Sequence, residues 1–494
     1  MRRSRTNIPS ARRAVSLVLV FVLVLGILAA VAYAQGGPLN AELFLLAAAA
    51  PIVLVAPVIA FRRDYDVFEP LSYVLLSVLI GVTARTFLLV MDRNADLASF
   101  LLLGNPMSIL VPGMTVIIVG LAAFAAGYMA RIPRVPLGRI RGLREDFHRP
   151  RLALIVVPST LVSIGCVVLF MKATGGWTAA LGGAISDIRT VPVAGSAHWA
   201  ALGYYRWGAA LAIYVYCCVL VTIVGKGAKR SMLWTAAAVG LGVLAVLLPF
   251  LASSRTNTLL IIVVTALIFH YGRGRLSARH VAVAVLLGLT GFAAMGALRN
   301  ETRPAPFQSA PGFAGALEET IGTRHWLGVD KTSLIIQAVP RVLPYQWGGT
   351  LVTWVTAPIP RTLWPDKSLI RVGPIIGDRI YGLDPLTTGV PPGLVAELYW
   401  NFGLVGVVAG MFLFGAVLRA MYRSFSPLLI EGRPGAIVAY TVVVAPLALQ
   451  LPGADVSGAV IAVLAAGIPT AILLRFVTGP GPKRGARLRP EPTR

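Results

Sequence analysis

Few side chains in this 494-residue chain are equipped for chemistry, and the charged ones that interrupt long apolar runs come first. Arg85, Arg206, Arg255, Arg299 and Glu397 each stand inside such a run or at its end. A charge carried into hydrocarbon is costly and usually serves a site. A guanidinium keeps its charge at every relevant pH and offers planar, paired donors to phosphate oxygens. Four of them at one level fit an anionic lipid headgroup, such as a diphosphate. Snorkelling to neighbouring headgroups is the alternative for Arg85 and Arg206, and the internal ion pairs of a transporter are another. Glu397 is the best base candidate, and a simple ion pair with an arginine of this cluster is the alternative reading for it. Asn401 follows one helical turn later on the same face and is placed to orient a hydroxyl. His325, in Thr323-Arg324-His325-Trp326, and Asp366 are second-rank bases.

Other motifs carry less. Asp64-Tyr65-Asp66 matches the metal-nucleotide pattern of cytoplasmic sugar-nucleotide transferases, but no nucleotide-binding fold surrounds it, so coincidence is the better reading. His198 beside Trp199 reads as an interface residue. Cys166, Cys217 and Cys218 fall inside apolar runs as small apolar residues, with no disulfide framework or metal cluster. The chain has no phosphate-cradling glycine loop and no His-Glu-x-x-His.

The elements that must position these residues follow from composition. Hydrophobic residues make up 57% of the chain, charged residues 13%, and the mean hydropathy is +0.78. A soluble surface needs roughly 25% charged residues, so most of this chain cannot face water. Twelve runs are long enough to be spanning helices: 14–34, 41–61, 70–91, 107–130, 152–171, 199–224, 232–251, 256–270, 281–298, 394–418, 435–451 and 456–474. The seventh and eighth are joined by the tight Ser253-Ser254-Arg255 turn. The fold expected is all-α, a polytopic bundle of about 12 transmembrane helices with one large external loop.

The net charge of +24 invites a nucleic-acid reading, and its distribution rejects one. With the N-terminus inside, cytoplasmic segments hold 29 basic and 7 acidic residues, and external segments hold 13 and 12. This is the positive-inside pattern, with both termini cytoplasmic in the plasma membrane. Arg131–Arg151 reads as an anchor near anionic lipid. Residues 1–34 also resemble a signal peptide ending at Ala32-Tyr33-Ala34, but the apolar run is long for that role and a retained helix is expected. In this orientation Arg85 lies roughly 9 Å below the outer face and Arg206 roughly 10 Å, at 1.5 Å per helical residue. Arg255, Arg299 and Glu397 mark external ends of their helices, so all five converge on the outer leaflet.

Residues 1–298 therefore hold nine helices, 299–393 form the large external loop, 394–475 hold three more helices, and 476–494 form a basic tail. A loop of that length is too long for a connector and is expected to carry function. Its Trp347–Pro360 stretch is apolar and Trp-rich, suited to a re-entrant or surface helix.

Local motifs in the second half extend this reading. Ser253-Ser254-Arg255 precedes an apolar helix, and Pro358-Ile359-Pro360-Arg361 leads into Leu363-Trp364-Pro365-Asp366-Lys367. Thr388-Gly389-Val390-Pro391-Pro392 is followed by Glu397-Leu398-Tyr399-Trp400-Asn401-Phe402-Gly403-Leu404-Val405-Gly406. With the topology, the ordered set resembles the Wzy-type O-antigen and exopolysaccharide polymerases, also called oligosaccharide repeat unit polymerases. The resemblance implies a membrane glycosyltransferase fold shared with O-antigen ligases. It implies as substrate an undecaprenyl-diphosphate-linked oligosaccharide, both donor and acceptor, on the outer leaflet. It assigns the external-loop arginine role to Arg255, Arg299, Arg361 and Arg371, and implies no cofactor and no metal. The partners expected are membrane lipid and a chain-length regulator or flippase, with no nucleic acid.

On this reading Arg85, Arg206, Arg255 and Arg299 line a headgroup site, and Arg361, Trp364 and Asp366 close over the sugars. Glu397 or His325 assists deprotonation of the acceptor hydroxyl. The nearest rival is a ligase that passes the glycan to another acceptor. A lipid-linked oligosaccharide flippase or small-anion transporter is the rival from another class, and the gathering of charge at one face argues against it.

Overall fold

The computed structural model describes chiefly residues 37–91, 107–173, 197–291, 326–359, 371–382 and 389–478, with short breaks inside these ranges. Among them the chain is helical, and its sole extended pairing is an isolated bridge between Phe147 and Thr478. Seven helices are long and apolar enough to cross a membrane. They are α1 (Gly37–Val58), α2 (Pro70–Val90), α3 (Leu110–Met129), α4 (Arg149–Ala173), α10 (Leu394–Glu431), α11 (Pro434–Gly453) and α12 (Val456–Val477). Three further helices, α5 (Ala197–Val224), α6 (Met232–Leu251) and α7 (Arg255–Gly272), carry shorter apolar stretches. Ten of the twelve expected runs coincide with these helices. The run 14–34 lies outside the described residues, as does much of 281–298.

The centre of the bundle is the pairing of α3 with α10. Gly120 and Gly127 on α3 and Gly415 on α10 stand where a side chain would strike the opposite helix. Without water to drive association, close backbone approach at small residues is what helices in lipid have to gain from packing. The same device admits residues 326–338. Gly113 of α3 lies against Ser333, and Gly81 of α2 against the Leu327 backbone, so α8 (Val329–Ala338) enters the bundle beside α2, α3 and α10. Its Val329, Lys331, Thr332, Ser333, Leu334 and Ile335 are all buried.

The inserted element thus differs from the one expected. Residues 347–357 run as a short helix, Gly349–Val352, and a tight 3-10 turn, Thr353–Thr356, with Trp347, Val352 and Val355 exposed. That is the surface form, whereas the segment entering the bundle is α8. Its Asp330 and Lys331 break the apolar run that would have signalled it. A further helix, α9 (Gly373–Tyr381), packs with α8.

α11 passes through a π-helical turn at Tyr440–Val444, and two further departures from regular helix lie beside Arg85 and Asn401. α2 passes through a π-helical turn at Leu79–Ala84, immediately before Arg85. Such turns are rare and gather at functional sites. α10 kinks at Phe402 and Gly403, and Gly403 adopts a positive φ of 62°. The kink frees the Trp400 and Asn401 carbonyls, which accept the amides of Gln346 and Trp347.

The bundle has two unlike ends. The loop end gathers α8, residues 344–357 and the N-termini of α10 and α12. The basic end gathers residues 131–148, which lie across α10, α11 and α12. There Arg423 donates to the Ile132 carbonyl, the Ala436 amide to that of Leu143, and the His148 amide to that of Val477.

Candidate functional site

At the loop end the chain from Arg85 to Asn401 is connected bond by bond. Arg85 is buried, and its Nη2 donates to Asp330 Oδ2 at 2.8 Å. Burial pushes the Asp330 carboxyl up, but the Arg85 guanidinium and its hydrogen bond outweigh that and hold it below the ordinary aspartate range. The next residue, Lys331, is also buried and donates from Nζ to the Gly453 carbonyl at 3.0 Å. Two adjacent residues of α8 therefore stitch it to α2 and to the turn between α11 and α12.

Glu397 holds the other side of that turn. Its Oε2 accepts the Val456 amide at 2.7 Å, while Asp455 caps α12 by accepting the Gly458 amide at 2.8 Å. Glu397 is fully buried, and among the described residues the Thr350 hydroxyl is the one donor its carboxyl meets besides the Val456 amide. Among the described residues no cation pairs with it. A buried carboxylate is ordinarily paired and fully bonded. A carboxyl with no described cation beside it can accept a hydroxyl proton or bond a ligand.

Asn401 acts inside the protein. Its Nδ2 donates to the Glu397 carbonyl and to Thr350 Oγ1, each at 2.7 Å, and its Oδ1 accepts the Gly348 amide at 2.8 Å. The amide is fully occupied in fixing residues 348–350 over the start of α10. Ser457 Oγ donates to the Thr350 carbonyl at 2.7 Å and joins the same turn to α12.

Glu397 and Asn401 are thus brought together, and Arg85 reaches them through α8. Arg255 opens α7 and Arg206 lies within α5, with their side chains outside the description. His325, Asp366, Arg299 and Arg361 fall outside the described residues. Trp364 and Arg371 are exposed. Sequence reasoning missed Asp330, Lys331, Thr350 and Ser457 as members of this cluster. The signal present for the first two was an adjacent pair of opposite charges inside the apolar stretch 326–338.

An apolar groove of about 830 Å³ runs between α5, α6 and α7, lined by Tyr216, Gly242, Leu247, Ile261 and Phe269 among others. Its long wall is the helix that Arg255 opens.

The basic end buries a second, differently made cluster. Arg62 donates two hydrogen bonds to Glu69, at 2.7 and 3.0 Å, and Arg419 approaches the same carboxylate at 3.8 Å. Both guanidinia also lie over the Tyr128 ring. Burial leaves the Glu69 carboxyl above its ordinary range despite the Arg62 pairing. Asp66 accepts the Phe68 amide and the Tyr271 hydroxyl and stands 3.3 Å from His270 Nε2. Burial pushes its carboxyl up, and these contacts bring it below the ordinary range. The second acid of Asp64-Tyr65-Asp66 is therefore occupied in holding helix ends together.

Compared with profiles of known protein families, with curated proteins and with solved structures, the chain matches none.

Proposed function

We propose that the chain is a plasma-membrane glycosyltransferase that polymerises undecaprenyl-diphosphate-linked oligosaccharide repeat units on the outer leaflet, with twelve spans and both termini in the cytoplasm. The observation that carries the proposal is Glu397: a fully buried carboxylate at the loop end that, among the described residues, meets the Val456 amide and the Thr350 hydroxyl but no cation. A buried acceptor so placed suits a base for a sugar hydroxyl better than it suits a structural ion pair. The family likeness of the Glu397–Gly406 segment supports the same assignment.

In the proposed reaction the acceptor hydroxyl oxygen attacks the anomeric carbon of the donor glycan. The bond from that carbon to the diphosphate oxygen breaks, the hydroxyl proton passes to Glu397, and undecaprenyl diphosphate leaves with the electron pair. Arg255, Arg206, Arg299, Arg361 and Arg371 hold the diphosphate and stabilise its growing charge, the contribution expected to be largest. Arg85 acts one step back, fixing α8 through Asp330. The apolar groove along α7 takes the polyprenyl chain, because Arg255 at the head of that helix puts a phosphate ligand near its outer end. His325 and Asp366 remain secondary base candidates.

The test is the size distribution of surface and lipid-linked glycan in a strain lacking the chain. A polymer ladder that collapses to single repeat units supports the proposal. Unchanged long chains overturn it, and chains stranded on their lipid carrier indicate a ligase. Arg255→Ala should leave protein abundance near normal and abolish long-chain glycan.

A further inference from the structure

We propose that Trp347 is a stacking platform for a sugar ring of the glycan substrate, a subsite that rests on the polymerase reading and deepens it. The turn that carries it is built against local preference. Trp347 and Gly348 have φ of 48° and 89°, and the Gly349 amide donates to the Gln346 carbonyl at 2.8 Å. Two central residues of positive φ make a turn of the I′ hand, where Asn-Gly is the favoured pair. A bulky aromatic residue in the left-handed region is an outlier, and such outliers persist where the surrounding structure holds them for a purpose. Trp347 is the one non-glycine residue with positive φ among those described.

The surroundings do hold it. Its amide donates to the Asn401 carbonyl at 3.3 Å, and the Gly348 amide to Asn401 Oδ1 at 2.8 Å. Trp400 Nε1 donates to the Pro344 carbonyl at 3.0 Å, tying the segment down from the other side. The turn is therefore keyed to the kink of α10, and Asn401 alone separates Gly348 from Glu397 in the hydrogen-bond chain.

Held this firmly, the Trp347 side chain is nevertheless 75% exposed. Tyr345 and Phe402 stand against it with ring centroids at 5.7 and 6.3 Å, limiting the orientations the indole can take. An oriented, displayed aromatic face suits a pyranose ring, whose axial C–H bonds present positive edges to the negative π-face. A bilayer-anchoring tryptophan needs only the right depth. It needs neither a left-handed backbone nor a turn fastened to the segment that holds the buried carboxylate.

Three variants separate these uses in the full-length chain, reconstituted with the lipid-linked oligosaccharide extracted from a strain lacking it. Trp347→Asn suits the turn, so its melting temperature should equal or exceed that of the wild type. Its glycan elongation should nonetheless fall about tenfold, the scale of one aromatic stacking contact. Trp347→Leu keeps apolarity without the π-face and should lose elongation equally. Trp347→Phe keeps a π-face and should stay within about threefold of wild type. If Leu elongates like wild type while Asn does not, Trp347 is a bilayer anchor and the proposal falls. If all three elongate normally it also falls. If the wild type itself does not elongate, the polymerase reading fails and the subsite with it.

Discussion

Glu69 and Glu397 are both fully buried carboxylates, one at each end of the bundle, and they are treated in opposite ways. Glu69 meets Arg62 in a two-bond pairing and Arg419 at 3.8 Å. Glu397 meets one backbone amide and the Thr350 hydroxyl, and no cation among the described residues. Removing a charge from water costs several kcal/mol per ion unless partners offset it. At the basic end the partners come from α10 and the 62–69 turn, so the cluster fastens elements together. At the loop end no described cation offsets the carboxylate, and in the proposed reaction an acceptor hydroxyl would meet it. Burial alone therefore does not distinguish a fastening from a site; the presence or absence of a described cation beside the carboxylate is the difference between these two.

That contrast is broken most sharply by Glu397→Gln. The substitution keeps the shape and the capacity to accept the Val456 amide while removing the base. Glycan elongation should fall by roughly 10²- to 10⁴-fold, the usual contribution of general base catalysis. Protein abundance and melting temperature should stay close to wild type. Elongation surviving in Glu397→Gln would transfer the base role to His325 or Asp366.

The counterpart, Glu69→Gln, should reverse the pattern. It takes the carboxylate charge away from two partly buried guanidinia, and breaking a buried ion pair from one side costs about 3–5 kcal/mol, an upper bound here. Thermal unfolding in detergent should register that loss. Elongation per unit of folded protein should be unchanged. A variant that folds normally but does not elongate would make the basic end part of the site.

The two ends also differed in how far they could be read beforehand. Helix positions were legible at both, because long apolar runs bounded by charged segments form long apolar helices. The placing of Glu397 at a helix start followed from its position four residues into such a run. The roles of its neighbours did not. Asn401 was legible as a polar residue on the right face, but its occupation by Gly348 and Thr350 depends on a turn 50 residues distant in sequence. Asp330 and Lys331 read as loop charges because nothing local announces that Gly81 and Gly113 leave room for α8. The knot around Glu69 draws on residues 62, 69, 128 and 419, a set that no spacing rule connects. Pairings across a bundle are made by packing, and packing is what a single sequence conceals most.

The smallest expected effect tests whether α8 belongs to the site's framework or merely lies on it. Asp330 is held below its ordinary range by Arg85, so the bond contributes fully above the unfolded aspartate value of 3.8 and is lost as pH falls through the lower native one. Asp330→Asn should therefore melt below wild type at neutral pH, by an amount equivalent to about 2 kcal/mol, as expected for a hydrogen bond between charged groups. The gap should narrow below pH 3.8 and close once the wild-type carboxyl is itself protonated. A gap independent of pH would mean that the loss comes from packing of α8 and not from the ion pair. If the melting gap behaves as expected, elongation at neutral pH then shows whether the pair also matters to the site. A fall beyond that explained by the folded fraction makes Arg85 a positioning residue for Glu397, acting through Lys331 and the turn at Gly453.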